Sequence, residues 1–148
     1  MDQHNGTRPN RFRTNQTKAM TERQRLKNKI DTVFSIFIRT RFADHAGYTN
    51  CYTCGVVKHW QKLDAGHFQG RGKLSTRWHE FNVFQQCKQC NGFRGGEQFK
   101  FSRQLDADYG EGTAEEMERL GNQMRKYSIQ ELRDLLKHYK AKVEDLDL

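Results

Sequence analysis

Apolar residues recur at three- and four-residue intervals in the run Leu26, Ile30, Val33, Phe34, Phe37, Ile38 and Phe42. That spacing places them on one face of a helix. It predicts a helix from an N-cap at Thr21 to about Phe42, with Lys27, Lys29, Arg39 and Arg41 mostly off the apolar face. Residues 43–50 read as a turn region. Lys58 to Phe68 can be extended, with Trp60, Leu63, Ala65 and His67 as strand positions, and Arg77 to Gln86 alternates moderately, as a second strand does. The glycine-rich basic segment Gln69–Thr76 lies between them and makes the pair a hairpin with a long loop. Further on, Glu97–Tyr109 reads as a helix stopped by Gly110. Thr113 with Glu116 and Ser128 with Glu131 have capping-box spacing. The first opens a short helix to Met124. The second opens a helix carrying Ile129, Leu132, Leu135, Leu136, Tyr139 and Val143.

Composition adds a partner to this outline. With 148 residues the chain suits one domain with a modest core, and at 34% hydrophobic and 30% charged that core is lean enough to need a staple. The formal net charge is +8 and the pI about 9.5, which favours a polyanionic partner, nucleic acid first. Residues 1–105 hold all the excess positive charge and residues 106–148 are net acidic, so a phosphate-binding surface belongs to the first two-thirds. Residues 1–17 are polar and basic, contain Pro9 and lack periodicity; they read as a disordered basic arm, either a solvated tail or a segment that tracks DNA. Residues 18–148 read as a single domain, with a core segment over 51–96 and a helical region over 97–148. The N-terminal segment lacks an apolar signal-like region, and no apolar run approaches the ~18 residues of a membrane span. A cytoplasmic protein without membrane contact is expected.

Cys51, Cys54, Cys87 and Cys90 form two Cys-x-x-Cys pairs separated by residues 55–86. Zinc takes four ligands in a tetrahedron, and each pair offers two thiolates on one tight turn, so a structural Zn²⁺ is the leading reading. Two disulfides, a redox dithiol and free core cysteines are the alternatives. No thioredoxin-like pattern surrounds either pair, and a reducing compartment disfavours disulfides. Four cysteine ligands leave no open position for water, so this zinc is expected to be structural and not catalytic.

His67 lies on the insert between the pairs, Asn82 five residues before Cys87, and Asn91 directly after Cys90. The order His, Asn, Cys-x-x-Cys-Asn is that of a ββα-metal nuclease hairpin. Phosphodiester hydrolysis needs a base to activate water, and a neutral imidazole suits that task near pH 7. It also needs a cation on the scissile phosphate, and Mg²⁺ or Mn²⁺ accepts a few protein oxygens with water filling the rest. The carboxylate of Asp64 and the amide oxygen of Asn91 are the candidates. Arg71, Lys73, Arg77 and Arg94 are candidate phosphate clamps, each with a solvated surface cation as the alternative. His59, His79 and His138 read as structural, with His79 a spare candidate acid near Asn82. Trp60 and Trp78 read as core.

The segment Asp64-Ala-Gly-His67, the glycine-rich loop, Arg77, Asn82, Gln86-Cys87-x-x-Cys90-Asn91 and Gly95 resemble the lambda-type phage recombination protein family NinG, also called Rap. Leu26–Arg39, Cys-x-x-Cys-Gly55 and the acidic tail with Tyr109-Gly110 are similar too, and the resemblance covers roughly residues 25–145. It implies membership of the wider HNH, or His-Me finger, nucleases. The implied fold is α+β, a zinc-stapled ββα core between a long N-terminal helix and C-terminal helices. The implied activity is metal-dependent endonucleolytic cleavage of branched double-stranded DNA, such as Holliday junctions and D-loops. By the same resemblance His67 is the general base, Asn82 orients the imidazole or the loop, and Asn91 is a metal ligand. Many HNH enzymes carry an acid immediately before the histidine; Gly66 stands there, which leaves Asp64 as the substitute ligand. Two symmetric cuts in a four-way junction make a homodimer natural. Phage recombination proteins are the other implied partners. The competing readings are an HNH nuclease with another DNA substrate (homing, restriction or packaging) and a non-catalytic zinc-bound DNA-binding module.

Overall fold

Helix α1 (Glu22–Thr40) begins at Thr21, whose hydroxyl accepts the Gln24 N–H as an N-cap. The computed structural model describes residues 18–148, and the basic arm expected over residues 1–17 lies outside the described residues. Ile30, Phe34, Phe37 and Ile38 are buried, against Leu132, Leu136 and Tyr139 of helix α5 (Ile129–Glu144). Each such side chain contributes on the order of 1.5–3 kcal/mol by leaving water. Phe42, expected on the helix, lies beyond its end and is 54% exposed. The expected box at Ser128 and Glu131 forms at the start of α5, with both reciprocal hydrogen bonds made.

Strand β3 (Leu63–His67) pairs antiparallel with β4 (Val83–Cys87), from Leu63 opposite Cys87 to His67 opposite Val83. Every residue of β4 is buried, because both of its faces are covered. Val83 faces the α1–α5 core; Phe84 packs with Phe101 and Leu105 of α3 (Gln98–Tyr109) and Ala114 of α4 (Thr113–Gly121). Cys87 enters the cysteine cluster. The second strand is shorter than the alternation suggested. Residues 74–77 form a helical turn, α2 (Leu74–Arg77), and the chain turns again before Val83.

Two further features depart from the sequence reading. Residues 48–50, expected in a turn, form strand β1 (Tyr48–Asn50), paired with β2 (Val57–His59) across the first cysteine knuckle. A 3₁₀ turn over Trp60–Lys62 then separates β2 from β3, so Lys58–Phe68 is not one extended segment. Thr113 does not cap α4. Its hydroxyl donates to the Gly110 carbonyl, and the Asp106 carboxylate of α3 accepts the Ala114 N–H instead. The architecture is mixed α+β with two small sheets. Among the described residues, no helix is long and apolar enough to cross a membrane.

Candidate metal and nuclease site

The first knuckle turns at Gly55, whose φ of +79° suits a residue without a side chain. The second opens into a single wide π turn over Gln89–Phe93. Together they bring Cys51, Cys54, Cys87 and Cys90 to one place, with all four sulfurs within 4.8 Å of one another. The Cys54 and Cys87 sulfurs are 3.8 Å apart, and none of the four cysteines is in a disulfide. Four sulfurs about 2.3 Å from a tetrahedral Zn²⁺ would be about 3.8 Å from each other, so the cluster fits a zinc ion. Its protonation chemistry fits as well. Burial opposes the Cys51 thiolate, yet the Cys87, Cys54 and Thr53 N–H groups outweigh it and lower the thiol to about 6. Burial pushes the Cys90 thiol up to about 12, which a divalent cation would reverse. The four cysteines could therefore hold a zinc ion.

Beside the cluster, and sharing Leu63 with it, lies a cleft of about 630 Å³ lined by residues of α1, β3, the glycine-rich loop and the π turn. It brings together four of the residues singled out from the sequence: Asp64, His67, Arg71 and Asn91. The half-buried His67 ring has its Nε2 2.9 Å from the Arg77 carbonyl oxygen. A carbonyl can only accept, so in neutral imidazole Nε2 carries the proton and Nδ1 keeps the lone pair. Burial lowers the His67 pKa below the usual histidine value, more than the Arg77 and Ala65 backbone hydrogen bonds raise it. The neutral ring is thus favoured at pH 7, with its lone pair on Nδ1.

Asp64 accepts from Lys88 Nζ at 2.8 Å on Oδ1 and from Asn91 Nδ2 at 3.2 Å on Oδ2. A strand and a turn 27 residues apart in sequence therefore place a carboxylate beside an amide. Turning the Asn91 amide over would present its oxygen to a cation next to Asp64. Gly66 has a packing explanation. A Cβ there would lie 2.0 Å from Gln86 Oε1 and 2.7 Å from its Cδ. Gln86 is fully buried and held by the Gly96 carbonyl and the Thr53 hydroxyl. No acid fits at position 66 while Gln86 sits there, and Asp64 is the neighbouring residue on that strand face.

Four other sequence candidates lie outside the cleft. Asn82 is fully buried; it accepts the Gln69 N–H at 2.7 Å and donates to the Gln69 and Thr76 carbonyls, both at 3.0 Å. It clamps the glycine-rich loop and makes no hydrogen bond to the His67 ring. Arg77 is not a free phosphate clamp, because Asp31 of α1 holds its guanidinium at 3.0 and 2.5 Å. Lys73 is tied to Gln69 and Asn122. Arg94 lines a separate groove over the knuckles and lies 3.6 Å from Glu97.

Of the cleft residues Asp31, Arg39 and Lys88, the sequence pattern singles out only Arg39, as a cation off the apolar face of α1 and a candidate phosphate contact. Asp31 also accepts the Trp78 indole N–H at 2.9 Å, so it fixes both sides of the Arg77 carbonyl that holds His67. Arg39 is near enough to Asp64 for that carboxylate to raise its pKa, although burial lowers it more. Lys88 stands between the second pair of cysteines. A signal for Asp31 was available: Asp31, Ser35 and Arg39 recur every four residues, a polar stripe beside the apolar face of α1.

A family model described as the bacteriophage lambda NinG protein matches residues 3–148. The chain belongs to the NinG family. Protein ninG of Escherichia phage lambda is 30% identical over 111 residues, which cover 74% of this chain and 52% of that protein. Protein ninG of Escherichia phage 933W aligns with the same identity and coverage. This NinG chain thus spans about half the length of the curated relatives it matches. No solved structure gives a significant match.

Proposed function

We propose that the chain is a metal-dependent endodeoxyribonuclease of the HNH, or His-Me finger, type that cleaves branched double-stranded recombination intermediates in the host cytoplasm. The observation that carries this reading is the His67 ring. Its Nε2–H is committed to the Arg77 carbonyl, and its Nδ1 lone pair is left beside a cleft that also holds Asp64 and Asn91. His67 Nδ1 takes a proton from a water molecule, and the water oxygen forms a bond to phosphorus. One P–O ester bond breaks, and the departing oxygen takes a proton from solvent. Mg²⁺ or Mn²⁺ held by oxygens of Asp64 and Asn91 would neutralise charge developing on the phosphate and the leaving oxygen. Arg39, Arg71 and Lys88 border the same cleft and suit the neighbouring phosphates. The branch preference rests on the family resemblance and on backbone contacts, because no recognition helix is evident. A homodimer would set two clefts on a four-way junction, and phage recombination proteins are the natural partners of such an enzyme.

The test compares a synthetic four-way junction with a linear duplex of the same sequence, each with Mg²⁺, Mn²⁺ or chelator. The junction should be cut and the duplex spared, and His67→Ala should slow cleavage by roughly 10²- to 10⁴-fold. Equal cutting of both substrates would leave a nuclease of another specificity. Binding without cleavage by the wild-type chain would leave the non-catalytic module.

A further inference from the structure

The π turn that follows Cys87 carries three kinds of residue within five positions. Cys90 enters the sulfur cluster, Asn91 faces the cleft, and Phe93 points out of the protein, 93% exposed. Phe93 borders a second groove of about 1070 Å³, which runs over the knuckles from Tyr48 past Lys58 and Lys62 to Arg94. Lys88 lines both this groove and the cleft. The groove has four cations and no carboxylate in its lining. A Zn²⁺ held by four thiolates leaves two negative charges beneath it; Lys88 and Arg94 are paired with Asp64 and Glu97, and Lys58 and Lys62 are the two remaining cations. The side chains of Lys58 and Lys62 make no hydrogen bond or ion pair among the described residues, while Lys58 pairs through its backbone with Thr49. Tyr48, at 49% exposure, adds a second aromatic surface.

Exposed aromatic faces with unpaired lysines beside them match a nucleic-acid strand whose bases are available for stacking. A regular duplex keeps its bases stacked inside, whereas a branch point interrupts the stack. We propose that the knuckle face is a second DNA contact, in which Phe93 stacks on an unstacked base at the branch while Lys58 and Lys62 hold the flanking phosphates. The contact rests on the branched-DNA reading above and adds what recognises the branch. Phe93 is two residues from Asn91, so a base seated on it belongs to a nucleotide near the cleft.

The test uses the full zinc-loaded chain without added Mg²⁺ or Mn²⁺, and a four-way junction with 2-aminopurine at the branch. Wild type should change the probe's emission. Phe93→Ala should abolish that change and weaken junction binding about tenfold, with a linear duplex nearly unaffected and Phe93→Trp restoring both readouts. The double variant Lys58→Gln/Lys62→Gln should flatten the salt dependence of binding by about two units of slope. Zinc content and circular dichroism check that each variant is folded. An unchanged probe signal and junction affinity in Phe93→Ala would overturn the proposal. So would a Phe93→Ala protein that sediments as a monomer where wild type is a dimer, with junction binding lost in proportion, since the face would then be a self-interface. If wild type binds in the Phe93-dependent way but never cuts, the nuclease reading fails and this contact stands. If His67→Ala abolishes cleavage while Phe93→Ala changes nothing, the contact fails and the nuclease reading stands.

Discussion

The β3–β4 hairpin is closed in different ways at its two ends. Where Leu63 meets Cys87, the strands run into the four-cysteine cluster. Where His67 meets Val83, they run into a loop held by separate hydrogen bonds: the Phe68 N–H to the Asn82 carbonyl and the Asn82 side chain across its base, and Asp31 on Arg77 and Trp78. A structural zinc in such a small domain is worth about 10–16 kcal/mol of apparent binding free energy, all of it tied to folding. A single neutral hydrogen bond is worth about 0.5–1.5 kcal/mol and one to a charged group about 1.5–3. The cysteine end should therefore fail all at once, and the loop end by degrees. The candidate base sits at the end that can yield locally.

The sharpest break of this comparison is loss of the zinc ion that the four cysteines could hold. Chelator treatment, or Cys87→Ser, should abolish the cooperative unfolding transition and not merely lower its midpoint. Thermal circular dichroism alongside zinc content checks it. A chelated chain that melts as before would show that the hydrophobic clusters alone hold both ends.

Next in size is Asp31→Asn. The Asp31 and Arg77 side chains are only 19% and 13% exposed, so neutralising one strands a charge in a mostly dry place, at about 3–5 kcal/mol. Urea denaturation measures the loss, and zinc content should stay full, because the lesion is at the far end of the hairpin. The proposed cleavage should slow as well, since the Arg77 carbonyl that orients His67 loses its support. Release of zinc in this variant would mean that the two ends are one cooperative unit.

What was legible in the sequence divides along a similar line. Helix α1, the Ser128–Glu131 box and the cysteine pairs were legible because each depends on residues a turn apart. Strand β1 was not. Three residues acquire strand form there only by pairing with Val57–His59 across the knuckle. Arg77 looked like a phosphate clamp because its partner, Asp31, is 46 residues away. The box at Thr113 had the right letters, and Asp106 of the preceding helix supplied the acceptor instead. Local spacing identified Asp64, His67 and Asn91 as candidates, but the carbonyl that fixes the His67 tautomer belongs to a turn that the alternation had presented as strand.

The smallest predicted effect concerns pH and separates the two ends without breaking either. Burial holds the His67 pKa below its unfolded value of 6.5. The unfolded chain therefore takes up the proton first as pH falls, so this group costs stability from about pH 6.5 downward until the folded ring also protonates. The slope cannot exceed about 1.4 kcal/mol per pH unit for one histidine. The cysteine end also weakens in acid, because protons compete with metal for the thiolates. His67→Gln tells them apart. The glutamine amide has an N–H that can still donate to the Arg77 carbonyl, but it does not titrate. Urea midpoints at pH 7.5 and 5.5 should differ less in this variant than in wild type, with equal zinc content in both. Equal losses would assign the whole acid sensitivity to groups other than His67. For the proposed cleavage, the same depressed pKa should move the acid limb of the rate below pH 6.5, because the base would work only while Nδ1 is unprotonated.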